Sequence, residues 1–167
     1  MTREQAPSSD LPSEANPIGA VESILVRWAH AWNRHDSACL AALVATDVDF
    51  VTVAGRWLHG RSEFLEWHRW IHLVHLRASH STNLAYRLRR LRDDLFIVHL
   101  EWMIENENRV DESLQPMRSG IFTWLVAPRS EFWCIVAAHN TNLSDGTPRR
   151  LTNGTRDTLS FEEGECR

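Results

Sequence analysis

Trp28 to Arg61 reads W-A-H-A-W-N-R-H-D-S-A-C-L-A-A-L-V-A-T-D-V-D-F-V-T-V-A-G-R-W-L-H-G-R. Trp28 and Trp32 continue a helical spacing begun by Ile18, Val21, Ile24 and Leu25, so a helix from about Pro17 to Asn33 buries one face. The polar joint Asn33-Arg34-His35-Asp36 ends it. Asn33 suits a helix C-terminus, and the Asp36 carboxylate can accept from backbone N–H groups of a following turn. Leu40, Leu43 and Val44 give a second, short helix its apolar side. The period then drops to two: Val48, Phe50 and Thr52 alternate with Asp49, Val51 and Val53, and Ala54-Gly55-Arg56 turns the chain into Trp57-Leu58. Gly60 stops this hairpin, and Arg61 or Ser62 opens a third helix to about Leu76.

Working outward, Ser79 to Leu91 reads as a strand, Asp93-Asp94 as a turn and Leu95 to Ile104 as an apolar central strand. Glu105 to Gln115 is acidic and polar, which predicts a solvated loop. Two more strands, Met117 to Ala127 and Glu131 to Asn142, are joined by Pro128-Arg129-Ser130. The order predicts an α+β domain: a cone-shaped α+β barrel, three N-terminal helices packed on a curved antiparallel sheet. Residues 18–143 form that domain. Residues 1–17, with three prolines, and 144–167, with few apolar side chains, are expected to be a disordered arm and tail.

Composition narrows the function classes. With 43% hydrophobic and 24% charged residues over 167 positions, the chain is long enough to bury a core. No apolar run approaches the roughly 18 residues of a membrane helix. A net charge of -4 argues against nucleic acid or an anionic membrane as partner, because both need a basic surface. All 18 basic residues are Arg, so no lysine nucleophile is available. Cys39, Cys134 and Cys166 are too few and scattered for a disulfide framework, and residues 1–17 lack the apolar core of a secretory signal, so a reducing cytoplasm is the expected location. Without a glycine-rich phosphate loop, dinucleotide fingerprint or Ser-His-Asp signature, no cofactor is expected.

The candidate chemistry lies in histidines. His68, His72 and His75 stand at i, i+4 and i+7 and border the apolar arc of Phe64, Trp67 and Ile71, where a cavity lining would be. An imidazole there, with an unperturbed pKa near 6.5, suits proton transfer. The alternative is that the stripe is packed core or dimer surface. A zinc-protease helix is not matched, since His68 is followed by Arg69, and no metal is expected. His99 and Glu101 share one face of the central strand and form an acid–base pair in a pocket if that face is concave, or a solvated or dimer face if convex; both faces are apolar enough that alternation leaves this open. On the last strand His139 and Asn140 point to opposite sides, so one of them faces the interior; Asn140 with Thr141 either donates to a substrate carbonyl or only satisfies hydrogen bonds at the strand end. Asp36, Asp47 and Asp49 read as cap and turn residues, and Arg61 as a structural ion-pair partner.

The helix order and the phrase A-W-N-R-H-D-S-A-C-L-A-A-L-V-A-T-D-V-D-F-V-T-V-A-G-R-W-L-H-G-R-S-E resemble the nuclear-transport-factor-2-like superfamily, and most closely its SgcJ/EcaC and SnoaL-like branch. V-H-L-E-W at Val98–Trp102, G-I-F-T-W at Gly120–Trp124 and W-C-I-V-A-A-H-N-T at Trp133–Thr141 agree with it. The superfamily hosts isomerases, cyclases, dehydratases, epoxide hydrolases and plain binding modules, so the fold does not name a reaction. Laid over ketosteroid isomerase, the helix-one tyrosine falls on Trp28, the base on Thr52 and the protonated acid near Gly120. All three roles are missing, while a second pocket tyrosine falls on His68. The overlay also puts Trp28 and Trp57 in the cavity wall, and the resemblance implies a homodimer paired through the outer sheet face.

Together these readings give two hypotheses. One is a cofactor-independent enzyme of bacterial specialised metabolism that holds a small apolar or polyketide-like ligand. Its catalytic residues are His68, His72 and His99, and its ligand contacts are Trp28, Thr52, Trp57, Glu101 and Asn140. The other is a non-catalytic binding or dimerisation module.

Overall fold

A computed structural model describes residues 16–108, 113–130 and 132–144. Most of the expected N-terminal arm and C-terminal tail lies outside the described residues. Three helices come first or are interleaved with a hairpin: α1 (Pro17–Asn33), α2 (Ser37–Ala42) and α3 (Gly60–Val74), with β1 (Val44–Val51) and β2 (Trp57–His59) between α2 and α3. Then follow β3 (His80–Arg92), β4 (Leu95–Glu105), β5 (Arg118–Arg129) and β6 (Phe132–Asn142).

The joint after α1 explains how the helices are aimed. Pro17 starts α1, where its missing N–H costs nothing. Arg34 rather than Asn33 caps the helix; the Asn33 amide instead reaches β3, donating to the Ser81 carbonyl at 2.9 Å and accepting from its N–H at 2.8 Å. Asp36 caps α2 as expected, taking the Cys39 N–H at 2.9 Å, and that hydrogen bond holds its carboxyl below the usual range. Arg61 forks onto the Val44 carbonyl at 2.6 and 3.0 Å, so it pins the start of α3 to the start of β1 by hydrogen bonds instead of the expected ion pair.

The six strands run in the order β2-β1-β6-β5-β4-β3. β3 to β6 form the expected antiparallel meander, but β1 joins it parallel to β6, with Val44 opposite Ile135 and Phe50 opposite Ala138. The architecture is the expected α+β one, helices packed on a curved sheet; the sheet is mixed where an antiparallel one was expected, and unclosed with β2 and β3 at its edges. This pairing also extends β1 back to Val44, which the sequence reading gave to the second helix: the Ile135 N–H donates to the Leu43 carbonyl at 2.9 Å. The segment after β4 is not simply solvated. Glu107 and Asn108 are buried, because the Asn108 N–H reaches the His75 carbonyl at 2.7 Å and Glu107 is ion-paired with Arg118.

The helices cover the face of the sheet carrying Phe96, Val98, Leu100, Trp102 and Ile104 of β4, with Phe122, Trp124 and Val126 of β5. Trp28 of α1 is the hub of this core. Its ring stands 5.1 Å from Trp124, 5.5 Å from Phe122 and 6.2 Å from Phe64, centroid to centroid, in tilted or edge-on geometries that aromatic pairs favour.

Candidate functional site

Between the helices and the sheet the packing leaves a cavity of about 70 Å³. Its walls are largely aromatic, with Trp28, Trp32, Phe50, Trp102 and Phe122 among them. The polar lining consists of Thr52, Ser81, His68, Asn140 and Arg118. Pockets that enclose drug-sized molecules run to roughly 300–1,000 Å³, so as it stands this one holds only a small molecule.

His68 is the buried titratable group of the site. It is 4% exposed, stacks on Phe64 at 3.9 Å and meets Phe50 and Trp28 edge-on. Its Nδ1 lies 2.8 Å from the Phe64 carbonyl. A carbonyl can only accept, so Nδ1 carries the ring proton and Nε2 is left with the lone pair. Burial pushes the His68 pKa down to about 4, against a smaller opposing effect of the Phe64 carbonyl. The ring is thus neutral near pH 7, a proton acceptor fixed in one tautomer.

Asn140 faces the same cavity, and its exposed neighbour His139 faces away. The Trp102 indole N–H donates to Asn140 Oδ1 at 2.8 Å. That fixes the amide flip and leaves the NH₂ group as the donor of this lining side chain. The Thr52 hydroxyl accepts the Arg56 N–H at 3.1 Å and so holds the β1–β2 turn at the rim.

Four expected site residues are elsewhere. Trp57 is 57% exposed on β2, its indole N–H bonded to Asp49 at 3.0 Å, because the short hairpin turns it to the outer side. His99 and Glu101 lie on the face of β4 away from the helices: His99 pairs with the Thr123 hydroxyl at 3.1 Å, and Glu101 is fully buried there without lining the cavity. The neighbouring even positions fill the core, so the odd ones cannot. His72, one turn beyond His68, lies behind the Trp32 ring, 4.8 Å away, and its Nδ1 meets His35 Nδ1 at 3.0 Å. It lines an outer groove with Arg34, Arg69 and Asp36 instead. Burial first, then the adjacent His68 and His35, push its pKa down to about 3. His75 bonds the Asn108 carbonyl at 3.2 Å.

Arg118 was missed by the sequence reading. It stands two residues before Gly120, on the same strand face as Gly120, Phe122 and Trp124, and that parity was the available signal. Among the described residues no three His, Cys, Asp or Glu side chains gather as a metal-binding group, and no helix is long and apolar enough to cross a membrane.

No protein-family model matches the chain, and no curated protein matches it in sequence. Solved structures do. An NTF-2-like protein of unknown function from Shewanella oneidensis MR-1 is 17% identical, with 75% of this chain on 99% of that one and a TM-score of 0.60. A putative scytalone dehydratase from Novosphingobium aromaticivorans is 12% identical, over 88% and 95% of the two chains, at 0.66. A hexachlorocyclohexane dehydrochlorinase, LinA type 2, is 10% identical, over 89% and 93%, at 0.68. At such identities the likeness establishes the fold, which is nuclear-transport-factor-2-like.

Proposed function

We propose that this nuclear-transport-factor-2-like chain binds a small organic molecule in the cavity and moves a proton on it without a cofactor. His68 carries the proposal: a neutral, single-tautomer imidazole lining a mostly aromatic cavity is equipped to accept a proton at Nε2. The Asn140 NH₂ group donates to the carbonyl oxygen on which charge develops, and Trp28, Phe50 and Phe122 keep water out. The reaction class is proton abstraction next to a carbonyl, as in an isomerisation, cyclisation or dehydration. A base with so low a pKa needs a ligand that stabilises its imidazolium, and an anionic ligand does so. Resemblance to the SgcJ/EcaC and SnoaL-like branch supports a role in bacterial specialised metabolism, in the cytoplasm, as a homodimer paired through the sheet face that carries His99 and Thr123.

Deuterium incorporation from D₂O into a panel of short enolisable ketones and oxo acids, followed by proton NMR, tests this. The wild-type rate should exceed that of His68→Phe by about 10²-fold or more. Equal rates in the two proteins reject the base. The packing of His68 on Phe64 favours a second reading, a non-catalytic binding module, under which ligands bind to both proteins and neither promotes exchange.

A further inference from the structure

Arg118 brings the one formal charge among the described residues lining the cavity; no Asp or Glu lines it. Ile104 and Arg118 are paired across β4 and β5, which sets Arg118 on the inner face next to the Trp102–Gly120 pair. Its guanidinium carbon lies 5.2 Å from the centroid of the Trp102 ring, and the same indole holds Asn140 by its N–H. Two donor groups, a guanidinium and a carboxamide NH₂, are therefore set against one aromatic side chain.

Arg118 also has partners outside the lining. Its Nε donates to Glu107 Oε2 and its Nη1 to Asn142 Oδ1 at 2.9 Å, two of the five guanidinium N–H bonds. These contacts hold the head group in place, and Glu107 offsets part of its charge. The hydroxyl of Ser81 adds another polar group to the lining. A ligand that complements this wall presents anionic oxygen to Arg118 and a carbonyl oxygen to Asn140. The volume restricts the ligand to the smallest members of such a class.

We propose that the ligand is a short-chain oxo acid, its carboxylate on Arg118 and its keto oxygen on Asn140. This rests on the small-molecule reading of the cavity given above and names its substrate class. The carbon beside the keto group is the one that would yield a proton to His68, which the Asn140 bond to the developing enolate oxygen assists.

Calorimetry and saturation-transfer NMR with 2-oxobutyrate and its neutral analogue 2-oxobutanamide test the proposal. Wild-type protein should bind the acid at least tenfold more tightly than the amide. Arg118→Met should abolish that preference while leaving amide affinity within about threefold. Because Arg118→Met also breaks the contact with Glu107, Glu107→Gln provides a second reading: removing the competing carboxylate should tighten the acid severalfold and leave the amide unchanged. Equal binding of acid and amide to the wild type overturns the oxo-acid assignment and leaves the cavity reading standing, as does a preference that survives Arg118→Met. Failure of both compounds to bind the wild type overturns both.

Discussion

A methyl group at Gly120 would overlap the Thr141 carbonyl and the indole of Trp102. The bare glycine thus lets the Trp102 ring settle where it can hold Asn140, and Gly120→Ala should cost about 1–3 kcal/mol in a urea melt through overpacking. An unchanged midpoint would show that the ring has room to move. His68 makes a different demand. Its folded-state pKa of about 4 lies below the unfolded value of about 6.5, so acid protonates the unfolded chain first. The stability that a neutral His68 contributes is intact above pH 6.5 and drains away as pH falls toward 4, by about 2 kcal/mol at pH 5. Denaturant melts of His68→Phe should therefore gain about 2 kcal/mol on the wild type between pH 7 and pH 5. A constant difference across that range would contradict the burial of a neutral ring. His68, Trp28 and Asn140 were legible from period and overlay because each lies on a regular element, and Thr52 because it directly follows β1 and keeps its alternation. Arg118 was not, since its parity with Gly120, Phe122 and Trp124 is the one signal it carries and an arginine at the start of a strand ordinarily reads as solvated.

Among the elements, α3 shows where periodicity stops being enough. His68 and His72 share a stripe, yet the Trp32 ring lies between His72 and the cavity. Spacing places residues on a helix face without saying what the neighbouring helix puts in front of them. The His35–His72 contact at 3.0 Å needs a proton on one nitrogen and none on the other, and His35 holds it from a left-handed backbone position, φ 54°. Since the His72 pKa is pushed to about 3, protonation of the unfolded chain again opposes folding from pH 6.5 downward. His72→Leu should lower the pH of acid unfolding followed by tryptophan fluorescence; a raised midpoint would mean that the hydrogen bond to His35 outweighs this effect. On β4 both faces are apolar, so alternation could not choose between them. The register chose: Trp102 stands opposite Gly120, a large side chain facing an empty position, and that pair marks the inner face. His99→Ala should accordingly leave 2-oxobutyrate binding, measured by calorimetry, within about twofold.

For the whole molecule, the order of helices and strands was legible and the parallel joining of β1 to the sheet was not. Each element has a local period, whereas the pairing of β1 with β6 joins segments that nothing nearby in sequence connects. The size of the hollow was equally hidden, because the aromatic side chains that define it also fill it. Phe122, wedged between Trp28 and Trp102, sets how much is left. Phe122→Ala should admit oxo acids longer by one or two carbons, seen as a shift of the tightest-binding homologue, at a stability cost of about 3–5 kcal/mol. No shift would place the limit on ligand size at another wall.

The parallel strand pair bears on how the chain is made as well as on its shape. Val44 cannot meet Ile135 until the ribosome has released almost the entire domain, so one edge of β1 stays bare while everything between is synthesised. Refolding from denaturant should consequently be slow in its last phase and lose yield as protein concentration rises, since a second copy can occupy that edge before β6 does.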